Sequence, residues 1–192
     1  MIISYNRDDY QEEIPEVFFI LTYYFEKHPL HLKQEGLFRL AGDTAKINEL
    51  NIHLSLRDFA KLGEMNDCPN EIANFLKEIL REMTEPVCPF SLYPKFRDMD
   101  RSESKENKLE LILEYLQMMP TLNRSTMLYL VKFFAKVCTF SQYNKMPAYN
   151  LAVVLTPNLF RSKDLTPKDL QNHGTLVDCF ILMMENYNWI ID

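Results

Sequence analysis

PNEIANFLKEILREMTEP, residues 69–86, carries Ile72, Phe75, Leu76, Ile79, Leu80 and Met83 on one stripe at helical spacing. Pro69 suits a first turn, with Asp67 or Cys68 before it as the cap, and Pro86 and Pro89 end the run. The opposite face groups Asn74, Lys77 and Arg81. Lys77 and Arg81 are like charges one turn apart, which costs a few tenths of a kcal/mol on an isolated helix. Glu78 and Glu82 lie beside them and offset part of that. A solvated face is the ordinary explanation of such a row. The functional alternative is a cationic ridge for carbonyl or phosphate acceptors.

The same period extends outward in both directions. Ile14, Val17, Phe18, Leu21, Tyr24 and Phe25 predict a helix with Pro15 in its first turn, ended before Pro29. Asp43 or Thr44 caps a second, with Ile47, Leu50 and Leu54 inward. Further helices are expected over residues 109–118, 125–138, 148–155 and 176–187. Residues 125–138 are apolar on nearly every side except Lys132 and Lys136, which predicts the central helix of the bundle. Residues 97–107, RDMDRSESKEN, read as a surface connection or the capped start of the next helix. Alternating strand patterns, hairpin dipeptides and long repeats are absent. The expected fold is all-α, a single-domain helical bundle.

Composition agrees and narrows the function. A chain of 192 residues, 47% apolar and 25% charged, builds one core that removes about 70% of its extended surface from water. A net charge of −6 gives no global basic footprint for nucleic acid or anionic membrane. No apolar run reaches the ~20 residues of a membrane span, and the acidic opening MIISYNRDDYQEE does not read as a secretory signal. Cys68, Cys88, Cys138 and Cys179 form no C-x-x-C pair, so a reduced, cytoplasmic protein is expected. Gly36, Gly42, Gly63 and Gly174 build no phosphate-cradling loop. His28 and His31 flank Pro29, which breaks the face that metal ligands would share. His53 and His173 are isolated, and no metal site is expected. Ser102 and Ser104 lack an obvious base, which leaves nucleophilic catalysis without support. A peptide-binding groove lined by Met and aromatic residues is a further alternative, though at helical spacing these residues usually form core.

Two other segments stand out beside residues 69–86. In QEGLFRLAG, residues 34–42, Arg39 sits among Leu37, Phe38 and Leu40 between two glycines that permit a tight turn. The apolar neighbours anchor the segment while the guanidinium projects; an arginine salt-bridged on a surface loop is the plainer reading. In NKMPAYNLAVVLTPNLF, residues 144–160, Asn150 opens an apolar run that Pro157 is expected to close. Its amide either ties down backbone or reaches a partner.

EGLFRLAG, then LKEILREMTEPVCPFSLYPKF, then NKMPAYNLAVVLTPNLF resemble, in order and spacing, the signature of the Rho GTPase-activating protein (RhoGAP) domain. The resemblance runs from residue 14 to about residue 187, so the whole chain is expected to be one such domain with a core over about 14–188. It implies a helical domain that docks on a GTP-loaded Rho-family small GTPase and inserts Arg39 as an arginine finger. It implies Lys77 near the GTPase interface, Arg81 bracing the finger loop, and Asn150 at the interface. Asn144, Lys145 and Met146 match the turn beside it, and Pro86 matches the proline of an L-P-E-P segment. No cofactor is expected on this chain, since GTP and magnesium belong to the partner, and no hydrolysis by the chain alone. A monomer is the expected state. The alternative on the same fold is an inactive module that only binds small GTPases. Thr84 stands where the family has proline, and Thr156 where it often has glycine. Both departures concern backbone geometry and leave the charged residues in place.

Overall fold

Prolines and a few side-chain caps set most helix starts in the computed structural model, which describes residues 14–58 and 67–191. The acidic opening segment and Gly63 lie outside the described residues. Helix α1 (Glu16–Lys27) begins after Pro15 and gives way to a 3-10 turn (Pro29–Lys33). Asp43 starts α2 (Thr44–Ser55), its Oδ1 accepting from the backbone N–H of Ala45 at 2.8 Å. Helix α3 (Pro69–Glu82) has proline in its first turn, and α4 (Tyr93–Arg97) follows after the proline-rich bend. Ser104 caps α5 (Lys105–Gln117) by accepting from Asn107 N. Then come α6 (Thr121–Cys138), α7 (Ser141–Asn144), α8 (Ala148–Leu159), α9 (Pro167–Gln171), α10 (His173–Glu185) and α11 (Tyr187–Ile191). The described residues contain no strand, and the fold is a single all-α domain.

Two expectations need correcting. Helix α10, not α6, is the hub: it packs on α8, α6, α4, α5, α9 and α11. Helix α6 keeps Lys132 and Lys136 exposed, so it flanks the core with one wet edge. In α10, Leu176, Val177, Cys179, Phe180, Met183 and Met184 are buried against these neighbours. Pro157 does not close α8, which runs on to Leu159. The proline and Val153, whose carbonyl loses its helical donor, both face solvent, where that loss is least costly. Thr156 is fully buried inside the same helix, which is unbroken there.

The core contains one continuous file of rings. Phe25 and Phe38 meet Phe133, Phe38 meets Phe134 edge-on at 5.2 Å, and the file continues through Phe180 and Phe160 to Phe96. Burying each such side chain contributes about 1.5–3 kcal/mol. Phe38 belongs to the loop between the 3-10 turn and α2, so the file ties that loop directly into the core.

Candidate functional site

The loop that carries Arg39 is shaped by two residues with positive φ. Gly36 has φ +69°, and a Cβ there would be strained and would lie 2.5 Å from Leu40 Cγ, displacing that side chain. Its N–H donates to Asn144 O at 2.8 Å, while its carbonyl accepts from both Arg39 N and Leu40 N at 2.8 Å. Phe38 also adopts φ 69°, which costs a non-glycine residue about 1–2 kcal/mol. Its fully buried ring among Phe25, Phe133 and Phe134 opposes that cost. With Leu37 and Phe38 driven inward, the next side chain must leave outward. Arg39 is exposed, and no described residue holds its guanidinium.

One row of α3 grips the loop from the side. Glu71 Oε1 accepts from Asp43 N at 3.1 Å, Asn74 Nδ2 donates to Leu40 O at 2.7 Å, and Lys77 Nζ donates to Phe38 O at 2.5 Å. Residues three apart on a helix share a face, and here they meet loop residues 43, 40 and 38 in turn. Gly42 permits the approach: a Cβ on it would stand 2.9 Å from both Cα and N of Glu71. Burial, and then the neighbouring Arg81, hold the Lys77 ammonium below the usual lysine pKa.

This row shows what the two cations touch within the domain. Lys77, expected near the interface, also braces the loop through the Phe38 carbonyl. Arg81, expected as the brace, lies one further turn along α3, beyond the gripped carbonyls. Its Nε is 3.1 Å from Glu82 and its side chain is 61% exposed. Such an exposed pair contributes little. Lys77 and Arg81 line a cleft of about 280 Å³ with Ala41, Gly42, Val154 and Asn158, which joins the loop, α3 and α8 in one surface.

The turn before α8 closes the other side. Asn144 is fully buried: Nδ2 donates to Leu32 O at 2.9 Å and Val137 O at 3.0 Å, and Oδ1 accepts from Met146 N at 2.8 Å. It therefore supports the loop from inside. Lys145 is left-handed at φ 58°, and Asn150 Nδ2 donates to its carbonyl at 3.0 Å, the backbone-tying role. Met146 and Pro86 are buried, whereas Thr84 is exposed in the bend after α3. Tyr149 and Val153, four apart, join Leu40 as exposed apolar groups on this side. Sequence reading placed Asn74 on the polar face without giving it a role, and did not single out Glu71. The one available signal was their spacing with Lys77.

Elsewhere the chemistry is structural. His53 Nδ1 meets Asp58 at 2.8 Å, and the rings of His28 and His31 stack 5.2 Å apart. Among the described residues no three His, Cys, Asp or Glu side chains gather as a metal site, and no helix is long and apolar enough to cross a membrane. The four cysteines are free. Burial pushes the Cys179 thiol up to about 12 and the Cys138 thiol to about 11, so neither is a ready nucleophile.

Comparison with known proteins sets this geometry in a family. The RhoGAP domain profile matches residues 15–164. The Rho GTPase-activating protein gacY of Dictyostelium discoideum is 32% identical over 185 residues, 95% of this chain and 25% of that protein. The Rho GTPase-activating protein 17 of Mus musculus is 36% identical over 132 residues, 69% of this chain and 16% of that protein. The chain thus spans a quarter or less of the length of these two relatives. Among solved structures, human Rho GTPase activating protein 15 superposes with a TM-score of 0.81 at 22% identity, over 93% of this chain and 84% of that one. The BH domain from GRAF, the GTPase regulator associated with focal adhesion kinase, gives 0.76 at 22% identity, over 91% and 92%. These two likenesses bear on the fold, and the profile match over most of the chain settles its kinship: the chain belongs to the RhoGAP domain family.

Proposed function

We propose that this domain accelerates GTP hydrolysis by Rho-family small GTPases of the Rho and Rac type, with Arg39 as an arginine finger supplied in trans. The observation that carries the reading is an exposed arginine whose side chain is free while the backbone on both sides of it is held. Phosphoryl transfer spreads charge over the γ-phosphate and leaving oxygens, so catalysis there is positioning plus electrostatic stabilisation. A guanidinium is permanently charged, and its planar fork meets several oxygens at once. Fingers of this kind supplied to small GTPases are worth about 10³–10⁵ in rate, or ~4–7 kcal/mol of barrier.

In this reading the GTP-bound partner brings nucleotide, magnesium and the residue that orients water, and this chain brings no cofactor and hydrolyses no nucleotide alone. Leu40, Tyr149 and Val153 supply apolar contact around the finger, and Asn150 shapes the rim. Arg81, paired with the exposed Glu82, presents a cation to the partner, while Lys77 and Asn144 keep the loop in shape. The working unit is the single domain over about residues 14–188, acting as a cytoplasmic monomer.

The test is single-turnover GTP hydrolysis across a panel of Rho-family GTPases, with the unmodified chain, Arg39→Ala and Arg39→Lys. Acceleration should vanish in the alanine variant and largely vanish in the lysine variant, with binding retained. Lysine keeps the charge and loses the fork. Binding without acceleration by the unmodified chain would place it among modules that only bind.

A further inference from the structure

We propose that Asn74 is a positioning residue for Arg39, a reading that rests on Arg39 acting as the finger. The loop leaves few ways for Arg39 to be aimed. Its own N–H and that of Leu40 share the Gly36 carbonyl. The Phe38–Arg39 peptide unit is also held by Lys77 through the Phe38 carbonyl, and the Leu40–Ala41 unit, one further on, is held by Asn74 through the Leu40 carbonyl. Gly36 and Lys77 thus fix the units on either side of Arg39, and Asn74 fixes the chain where it leaves them, which together set the direction of the Arg39 Cα–Cβ bond.

Asn74 suits this task in a way its neighbours do not. An amide nitrogen has two hydrogens. One goes to Leu40 O, and the other to Asn70 O of its own helix, also at 2.7 Å. The second bond locks the amide against α3, so the first transmits the helix position to the loop. Lys77 has four rotatable methylenes and holds a carbonyl without fixing its direction equally well. Asn74 also stands mid-row between Glu71 and Lys77, where the loop passes from the buried Phe38 to the backbone contact at Gly42.

Losing this amide leaves Lys77, the Gly36 turn and the buried Phe38 ring in place, so the domain stays folded while the exit direction of Arg39 loosens. Small misplacements of a reacting group cost rate and spare affinity. Asn74→Ala is expected to lower the maximal single-turnover rate about tenfold, with the half-saturating concentration of the GTPase within about twofold of the unmodified domain. Asn74→Asp keeps the shape but turns a carboxylate oxygen toward the Leu40 carbonyl. It should lose at least as much, and it provides a near-isosteric variant if the alanine form folds poorly.

The decisive experiment is a double-mutant cycle on single-turnover hydrolysis with Arg39→Ala, circular dichroism and thermal unfolding serving as fold controls. If Asn74 acts through Arg39, its substitution changes the rate less than twofold in the Arg39→Ala background. Equal losses in both backgrounds, or a weakened half-saturation with unchanged maximal rate, would overturn the proposal. An unchanged maximal rate for both Asn74 variants, while Arg39→Ala abolishes acceleration, would overturn it and leave the finger intact. Full acceleration by Arg39→Ala would instead remove the finger itself.

Discussion

Phe38 offers a test in which the usual order of two small residues reverses. Its ring is fully buried, 5.2 Å from that of Phe134 and 6.1 Å from that of Phe133, and its backbone is left-handed at φ 69°. Phe38→Ala removes the ring and should cost about 3–5 kcal/mol, the usual range for a buried phenylalanine. It keeps a Cβ in a conformation that penalises Cβ by about 1–2 kcal/mol. Phe38→Gly removes the same ring and that penalty, but adds about 0.4–1 kcal/mol of unfolded-chain freedom. The difference leaves glycine ahead of alanine by about 0.5–1 kcal/mol, although at ordinary positions glycine is the weaker choice. Urea unfolding followed by circular dichroism reads this directly, as a higher midpoint for Phe38→Gly at equal slope. A lower midpoint for glycine would refute the account of a left-handed residue held in place by its ring.

Gly42→Ala should destabilise by about 1–3 kcal/mol, because the new methyl meets helix backbone and not a yielding side chain; an unchanged melting temperature would contradict the contact. Lys77→Met keeps the apolar stem but leaves the Phe38 carbonyl without its donor, a loss of about 1–3 kcal/mol in thermal unfolding. With it, single-turnover acceleration should fall while GTPase affinity holds. The ion network that joins α4 to α9 predicts acid lability. Arg97 reaches both Asp98 and Asp169, and Lys168 reaches Asp98. Asp169 is held well below the ordinary carboxylate range by Thr166 and then Arg97, and Asp98 by Arg97 and then Lys168. Depressed carboxylates stabilise the fold above their unfolded value, near 3.9, and lose that contribution as pH falls from there toward the folded values. The urea midpoint should therefore drop below about pH 4, and Arg97→Ala should flatten that drop.

The long helices were legible because their stripes, caps and prolines agree: Asp43 and Pro69 act as read, and residues 97–107 do hold a capped helix start, at Ser104. The short ones, such as α4 and α9 with five residues each, are barely longer than one turn and offer no period to count. Pro157 misled because proline near a helix end is tolerated when its turn faces solvent. The candidate site was legible in its residue types and not in which of them hydrogen-bond the loop. Lys77 and Arg81 lie close together on a helical wheel, and the register in which the loop lies along α3, from Gly42 beside Glu71 to Phe38 beside Lys77, is a tertiary fact that the wheel does not show. The sign of φ at Phe38 was hidden for a related reason. A phenylalanine gives no local hint of a left-handed backbone, and the rings that hold it there come from α1 and α6.

The tethering of the Arg39 loop has a consequence for the thermodynamics of encounter. Ordering a free backbone costs about 1–2 kcal/mol per residue, so a slack five-residue loop would withdraw about 5–10 kcal/mol from any complex that had to arrange it. Here the Gly36 turn, the Phe38 ring, Lys77 and Asn74 meet that cost when the domain folds. What is left to immobilise on contact is one arginine side chain, worth about 2 kcal/mol of rotamer entropy. A surface built this way can hold its partner weakly, release it quickly, and still deliver the guanidinium in one orientation each time.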